Sequence, residues 1–168
     1  MAEAQKPALV GKAAVLEGLQ EHPALKAIVG WNPAALDDAR FEFNELTITV
    51  AQGQIVSALA TLRDAGYNFF EDMTAVDWFP ASPRFQVTYH LLSHGFKEYI
   101  RVRVMLDEAD LSIESVTSLW PAANFYEREV FDLFGIRFEG HPNLRRIMLP
   151  DEWQGHPLRK DYPVEGYR

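Results

Sequence analysis

Residues 84–106, RFQVTYHLLSHGFKEYIRVRVML, decide how this chain folds. Two runs rich in β-branched and aromatic residues, 84–92 and 96–106, flank Ser93-His94-Gly95, which reads as a hairpin turn. In the second run Ile100, Val102 and Val104 alternate with Tyr99, Arg101 and Arg103. Side chains of a strand alternate between its faces, so one face of this hairpin is apolar and the other is wet. Such a pair needs helices on its dry side and solvent on its charged side.

The flanking sequence supplies both helices and further strands. Residues 12–20 read as a helix closed off by Pro23, and FEFNELTITV (41–50) as a strand or short hairpin. Residues 54–66 place Ile55, Leu59 and Leu62 on one helical face, with Gly66 as a stop. Residues 68–79 read as a strand that ends before Pro80. The predicted class is α+β, a mostly antiparallel sheet with helices on one side. Residues 1–135 form the predicted body, and 136–168 an extended, proline-rich C-terminal strap, packed either on that body or against another subunit.

Composition narrows the function. The chain has 168 residues, a net charge of -8 and 48% hydrophobic residues, so it can bury a core and is a poor partner for nucleic acid. With no cysteine it has no disulfide, no thiol chemistry and no thiolates for an iron–sulfur cluster. No stretch reaches the ~20 apolar residues that span a bilayer, and the N-terminus shows no export signal.

PAANFYEREVFDLFG (121–135) reads as a helix, with Pro121 in its first turn and Gly135 at its C-terminal cap. Tyr126, Val130, Leu133 and Phe134 make one apolar stripe. On a helical projection Arg128 and Asp132 point away from it, Glu129 falls inside the arc, and Glu127 sits at its edge. A carboxylate in an apolar arc needs a partner, and Arg145 and Arg146 are the nearest spare cations. After Gly135, Pro142, Pro150, Pro157 and Pro163 forbid a long helix or central strand. The segment repeats itself: Gly140-His141-Pro142 precedes Arg145-Arg146, and Gly155-His156-Pro157 precedes Arg159-Lys160. The histidine spacing fits no compact zinc motif. No G-x-S-x-G or phosphate-cradling glycine loop occurs, and Ser112, Ser115 and Ser118 lack an activating context. The paired cations suit either a phosphate or carboxylates across an interface.

EREVFDLFGIRFEGHPNLRRIM, Glu127–Met148, resembles the motif of the C-type (30 kDa-type) subunit family of the proton-pumping NADH-quinone oxidoreductase, respiratory complex I. The likeness continues through LPDEWQGHPLRKDYP. Glu127, Arg128, Glu129, Asp132, His141, Arg145 and Ile147-Met148 match the family pattern. The resemblance implies a peripheral subunit on the cytoplasmic side of a bacterial inner membrane. It implies no cofactor in this chain, with FMN and iron–sulfur clusters in partner subunits. The strap would pack on the large D-type subunit of the complex, which with the B-type subunit forms the quinone-reducing region. The motif or interface residues are then Glu127, Arg128, Glu129, Asp132, His141, Arg145, Arg146, His156, Arg159, Lys160, Asp161 and Tyr162. Within that reading, Arg145 and Arg146 supply an internal partner for Glu129, while Arg159 and Lys160 face the D-type subunit. The alternatives are the equivalent subunit of a membrane-bound hydrogenase or photosynthetic NDH complex, or a free-standing phosphate-binding enzyme.

Overall fold

The computed structural model describes residues 7–166. Residues 1–6, part of the stretch searched for an export signal, and the last two residues of the 136–168 segment lie outside the described residues. The elements run β1 (Leu9–Val10), α1 (Lys12–Gly18), α2 (Pro23–Trp31), β2 (Leu36–Glu42), β3 (Glu45–Val50), α3 (Ile55–Asp64), β4 (Phe69–Asp77), β5 (Phe85–Ser93), β6 (Glu98–Leu106), β7 (Ser112–Glu114), α4 (Ala123–Phe134) and β8 (Arg137–Glu139). The class is α+β: a six-stranded, mostly antiparallel sheet and four helices among the described residues.

The strand order is β1-β2-β3-β6-β5-β4. β5 and β6 pair antiparallel from Phe85↔Leu106 to Ser93↔Glu98, which is the hairpin the sequence predicts. Their turn takes in Lys97 at φ 57° as well as Ser93-His94-Gly95. β3 and β6 are parallel neighbours, because the chain crosses through α3, β4 and β5 before returning beside β3. Residues 41–50 hold half of a second hairpin: β2 and β3 turn at Phe43-Asn44, both at positive φ, the twist a two-residue hairpin loop requires.

The core face carries Leu46, Ile48, Val87, Tyr89, Leu91, Ile100, Val102 and Val104, each at most 1% exposed. Ile55, Leu59 and Leu62 of α3 and Leu25 and Ile28 of α2 join that same core. The other face presents Thr47, Thr49, Thr88, His90, Arg101 and Arg103. At about 25 cal/mol per Å² of apolar surface, burying side chains of this size contributes roughly 1.5–3 kcal/mol each.

Two local expectations are corrected. Pro23 does not merely end α1; it opens α2, where its missing N–H is one that a first helical turn leaves unpaired anyway. Asp132 does not point to solvent; its side chain is fully buried. The apolar side of α4 packs on β4, with Tyr126 against Phe70, while residues 144–158 fold back over its other side. A helical projection sees only the first of these neighbours.

Candidate functional site

The chemistry-bearing residues converge on α4 and the segment that follows it. Three anchors hold that segment, and each uses a different class of polar group.

The first anchor is Asp132. Its Oδ2 accepts the backbone N–H of Ile147 (3.0 Å), Met148 (2.8 Å) and Leu149 (3.0 Å). Its Oδ1 accepts Arg146 Nη1 at 2.7 Å. Three consecutive amides aimed at one oxygen form a nest for an anion, here filled by the chain's own carboxylate. Burial pushes the Asp132 pKa up, but the three amides and Arg146 together hold it below the usual carboxylate range. Arg146 also donates to Gly155 O at 3.2 Å, so it ties the two halves of the repeated phrase together. Arg128 donates to the carbonyls of Arg145 (3.1 Å) and Arg146 (3.0 Å), fixing the same turn from one helical step away.

The second anchor is the C-terminus of α4. The last carbonyls of a helix have no intrahelical partner and must find one elsewhere. Here His156 Nδ1 donates to Asp132 O at 2.9 Å, Leu158 N to Leu133 O at 3.1 Å, and Arg159 Nε to Phe134 O at 2.7 Å. Gly135 ends the helix at φ 76° and permits this approach. A Cβ there would lie 2.6 Å from both Arg159 Nη2 and His156 Nε2. Burial lowers the His156 pKa, as do Arg159 and Arg146, against the opposing pull of the Asp132 carbonyl and carboxylate.

The third anchor was not legible in the sequence. Arg84, 4% exposed, grips Asp77 through Nε (2.9 Å) and Nη2 (2.8 Å), Asp161 through Nη2 (2.7 Å) and Nη1 (3.1 Å), and Glu108 through Nη1 (2.7 Å). Asp77 also accepts the backbone N–H groups of Phe79 and Lys160, at 2.9 and 2.8 Å. Hydrogen bonding from Arg84, reinforced by those two amides, holds the Asp77 carboxyl far below its ordinary range despite burial. The forked guanidinium thus joins β4, β5 and the chain's C-terminal segment. No periodicity links positions 77, 84 and 161, so only the fold reveals them as one group.

The predicted pairings change accordingly. Glu129 is exposed and makes no ion pair with Arg145; Asp132 takes that structural role, and Arg146 is its cation. The projection misassigned them because it placed the helix's second buried face toward solvent. Glu127, the other carboxylate near the arc, is fully buried, and its oxygens accept Ser115 Oγ and Val116 N, both at 2.7 Å. Burial raises its pKa to about 7 even against the opposing effect of those two donors. Arg159 spends its Nε on Phe134 O and stacks over Phe85, and Asp161 is held by Arg84 rather than by its sequence neighbours. The Lys160 backbone is anchored to Asp77 and the residue is exposed. His141 stitches a turn: Nδ1 accepts Asn143 N at 3.0 Å, and Nε2 donates to Asn124 O at 3.3 Å. Tyr162 donates to Gln154 O at 3.4 Å.

These histidines and carboxylates are spent on the fold, and no group of three or more metal-ligating side chains occurs among the described residues. Beside exposed charges such as Arg145, Glu152 and Lys160, the segment displays apolar side chains. Met148 (61% exposed), Leu158 (50%), Trp153 (41%) and Ile147 (37%) lie on its outer side. Trp153 borders a shallow depression of about 470 Å³ with Pro150, Tyr162 and Gly166.

Residues 48–168 match the family model described as respiratory-chain NADH dehydrogenase, 30 Kd subunit. The chain is 52% identical over 134 residues to the C-type subunit of the NADH-quinone oxidoreductase of Citrifermentans bemidjiense, covering 79% of this chain and 83% of that one. It is 46% identical over 134 residues to the protein of the same name from Roseiflexus sp. strain RS-1, covering 78% and 76%. Among solved structures it resembles the trypsin-resistant fragment (1-134) of Nqo5, with a TM-score of 0.62 and 33% identity over 77% of this chain and 98% of that one. It also resembles a chain of the membrane-bound sulfane sulfur reductase, an archaeal respiratory membrane complex, with a TM-score of 0.72 and 25% identity over 86% of each.

Proposed function

This chain belongs to the family of the 30 kDa subunit of respiratory-chain NADH dehydrogenase, and from that premise we propose how it serves its complex. Its function is that of the C-type subunit of an NADH-quinone oxidoreductase, complex I, and it is a peripheral subunit: among the described residues no helix is long and apolar enough to cross a membrane. Its part is structural. The electron carriers, FMN and iron–sulfur clusters, reside in partner subunits, and this chain positions those partners on the cytoplasmic side of the bacterial inner membrane. Residues 136–168 act as the strap. The D-type subunit, with the B-type subunit behind it, is the receiving surface.

The observation that supports this most strongly is the division of labour within residues 140–163. The polar groups Asp132, Arg146, His156, Arg159 and Arg84 hold the backbone to the body. The apolar groups Met148, Leu158, Trp153 and Ile147 are left facing outward. Interfaces place such side chains in a desolvated centre ringed by polar contacts. The rigid backbone reduces the ordering cost of binding.

Replacing Met148 and Leu158 together by Glu tests this. The full chain should fold with an unchanged melting temperature, because both side chains are already half exposed or more. It should be missing from complex I purified from cells that carry only this variant. Retention at full stoichiometry would overturn the assignment of this segment as the docking strap.

A further inference from the structure

The sheet face turned away from the core is built in cross-strand rows. Arg40, Thr47, Arg101, His90 and Asp72 form one row across β2, β3, β6, β5 and β4. Asp38, Thr49, Arg103, Thr88 and Thr74 form the next. In the first row Arg101 is engaged through every guanidinium nitrogen. Arg101 donates to His90 Nε2 (3.0 Å), Thr47 Oγ1 (3.2 Å) and Glu45 Oε2 (2.8 Å), and His90 Nδ1 meets Asp72.

Arg103 in the second row has no such counterpart. Its Nε is buried without a hydrogen-bond partner, and no carboxylate lies within ion-pairing distance among the described residues. Its row neighbours, Thr49 and Thr88, carry no charge. Asp38 is engaged by Arg40 at 3.6 Å. Burial, and after it the like charges of Arg101 and Arg40, depress the Arg103 pKa against the opposing pull of Glu42 and Asp38. A guanidinium nitrogen buried without an acceptor is costly unless something arrives to pair with it. The space above is a groove of about 660 Å³, bordered by Arg40, Trp78, Ser82 and Met105, with Trp78 51% exposed.

We infer that this face docks an acidic segment of a neighbouring subunit, with Arg103 as the receptor for one of its aspartate or glutamate carboxylates. The inference rests on the subunit reading above. The chemistry favours a carboxylate on a polypeptide over a free phosphate. Main-chain amides of the inner strands are consumed by the ladder, so a phosphate's three oxygens would find few donors here. Asp38 on the rim repels a dianion. A planar guanidinium matches a planar carboxylate, and Trp78 and Met105 give a peptide its apolar contacts. In a chain of net charge -8 the groove itself is lined by two cations, Arg40 and Arg103, against one acid, Asp38, which leaves Arg103 to complement an incoming carboxylate.

The test uses complex I assembled with this chain carrying Arg103→Lys and treated with a zero-length carbodiimide. The substituted amine should form an isopeptide bond to an aspartate or glutamate of another subunit, located by mass spectrometry. With the variant present at full stoichiometry, no such link, or a link only to Asp38, overturns the inference. Should Arg103→Lys fail to assemble, Thr49→Cys decides, because the chain has no other cysteine. A negatively charged maleimide should label the T49C thiol in the free chain and not in the complex; equal labelling overturns the inference. Titration of the free chain with inorganic phosphate provides a further arm. Saturable binding that disappears in Arg103→Gln would make this a small-anion pocket and overturn the polypeptide assignment. Failure of the unsubstituted chain to co-purify with complex I would remove the subunit reading itself, whereas a missing cross-link in an intact complex removes only this surface.

Discussion

Replacing Asp132 by Ala removes one carboxylate and strands four donors at once. Three are amides of consecutive residues, at 2.8–3.0 Å, and the fourth is Arg146 at 2.7 Å. Hydrogen bonds to a charged group are each worth about 1.5–3 kcal/mol, which sums to more than the change will cost, because a loosened loop returns its amides to water. Breaking a buried pair by deleting one partner sets the better scale, about 3–5 kcal/mol. For a chain of this size each kcal/mol shifts the melting temperature by roughly 2–4 °C, so the expected fall is about 6–20 °C. Arg146→Ala leaves the three amides in place and should cost less, about 1.5–3 kcal/mol. The assay is thermal denaturation of the full chain, combined with amide hydrogen exchange read by mass spectrometry. Exchange should accelerate most at residues 144–158 and least in β5 and β6. Two results would refute the reasoning: a loss within ~0.5 kcal/mol, typical of an ordinary surface site, or acceleration spread evenly over the sheet.

Arg84→Met should cost about 3–5 kcal/mol, since Asp77 stays buried without its cation, and should expose the Arg159–Lys160 region to trypsin before the sheet unfolds. Gly135→Ala should add roughly 1–2 kcal/mol of left-handed strain to a clash with His156 and Arg159, loosening residues 156–159 in hydrogen exchange while the secondary-structure content in circular dichroism holds. Glu127, raised from 4.5 to about 7, contributes stability that is fully present below pH 4.5 and is lost as pH rises through 7. Denaturant titrations between pH 5 and 8 should therefore show Glu127→Gln flattening part of the wild-type decline, by up to about 3 kcal/mol across that window. Asp132 and Asp77 act oppositely: their pKa values are depressed, so their contribution is present above the ordinary carboxylate value of 3.8 and is lost on acidification below it, an acid limb that Asp132→Asn should shorten.

The residues alone determined much of this protein. Alternation in 96–106 fixed the hairpin and told its dry face from its wet one, because side-chain direction in a strand depends only on position. Gly66 and Gly135 marked helix ends, and both stand at positive φ, as those stops require. The motif from Glu127 to Met148 named the family, which no composition or periodicity reached. What escaped was whatever depends on two elements meeting. β1, β7 and β8 are two or three residues long, too short to carry a pattern, and exist because a partner strand lies beside them. The helical projection identified the face of α4 that meets the sheet and assigned the opposite face to water. It thus chose Glu129 over Asp132, since nothing local says that residues 144–158 return to cover that side. Arg84 and Asp161 lie 77 positions apart and touch through a guanidinium whose partners are chosen by chain topology. Local periodicity reports the direction of a side chain relative to its own backbone, while burial, pairing and charge compensation depend on what packs opposite, and that only the tertiary structure decides.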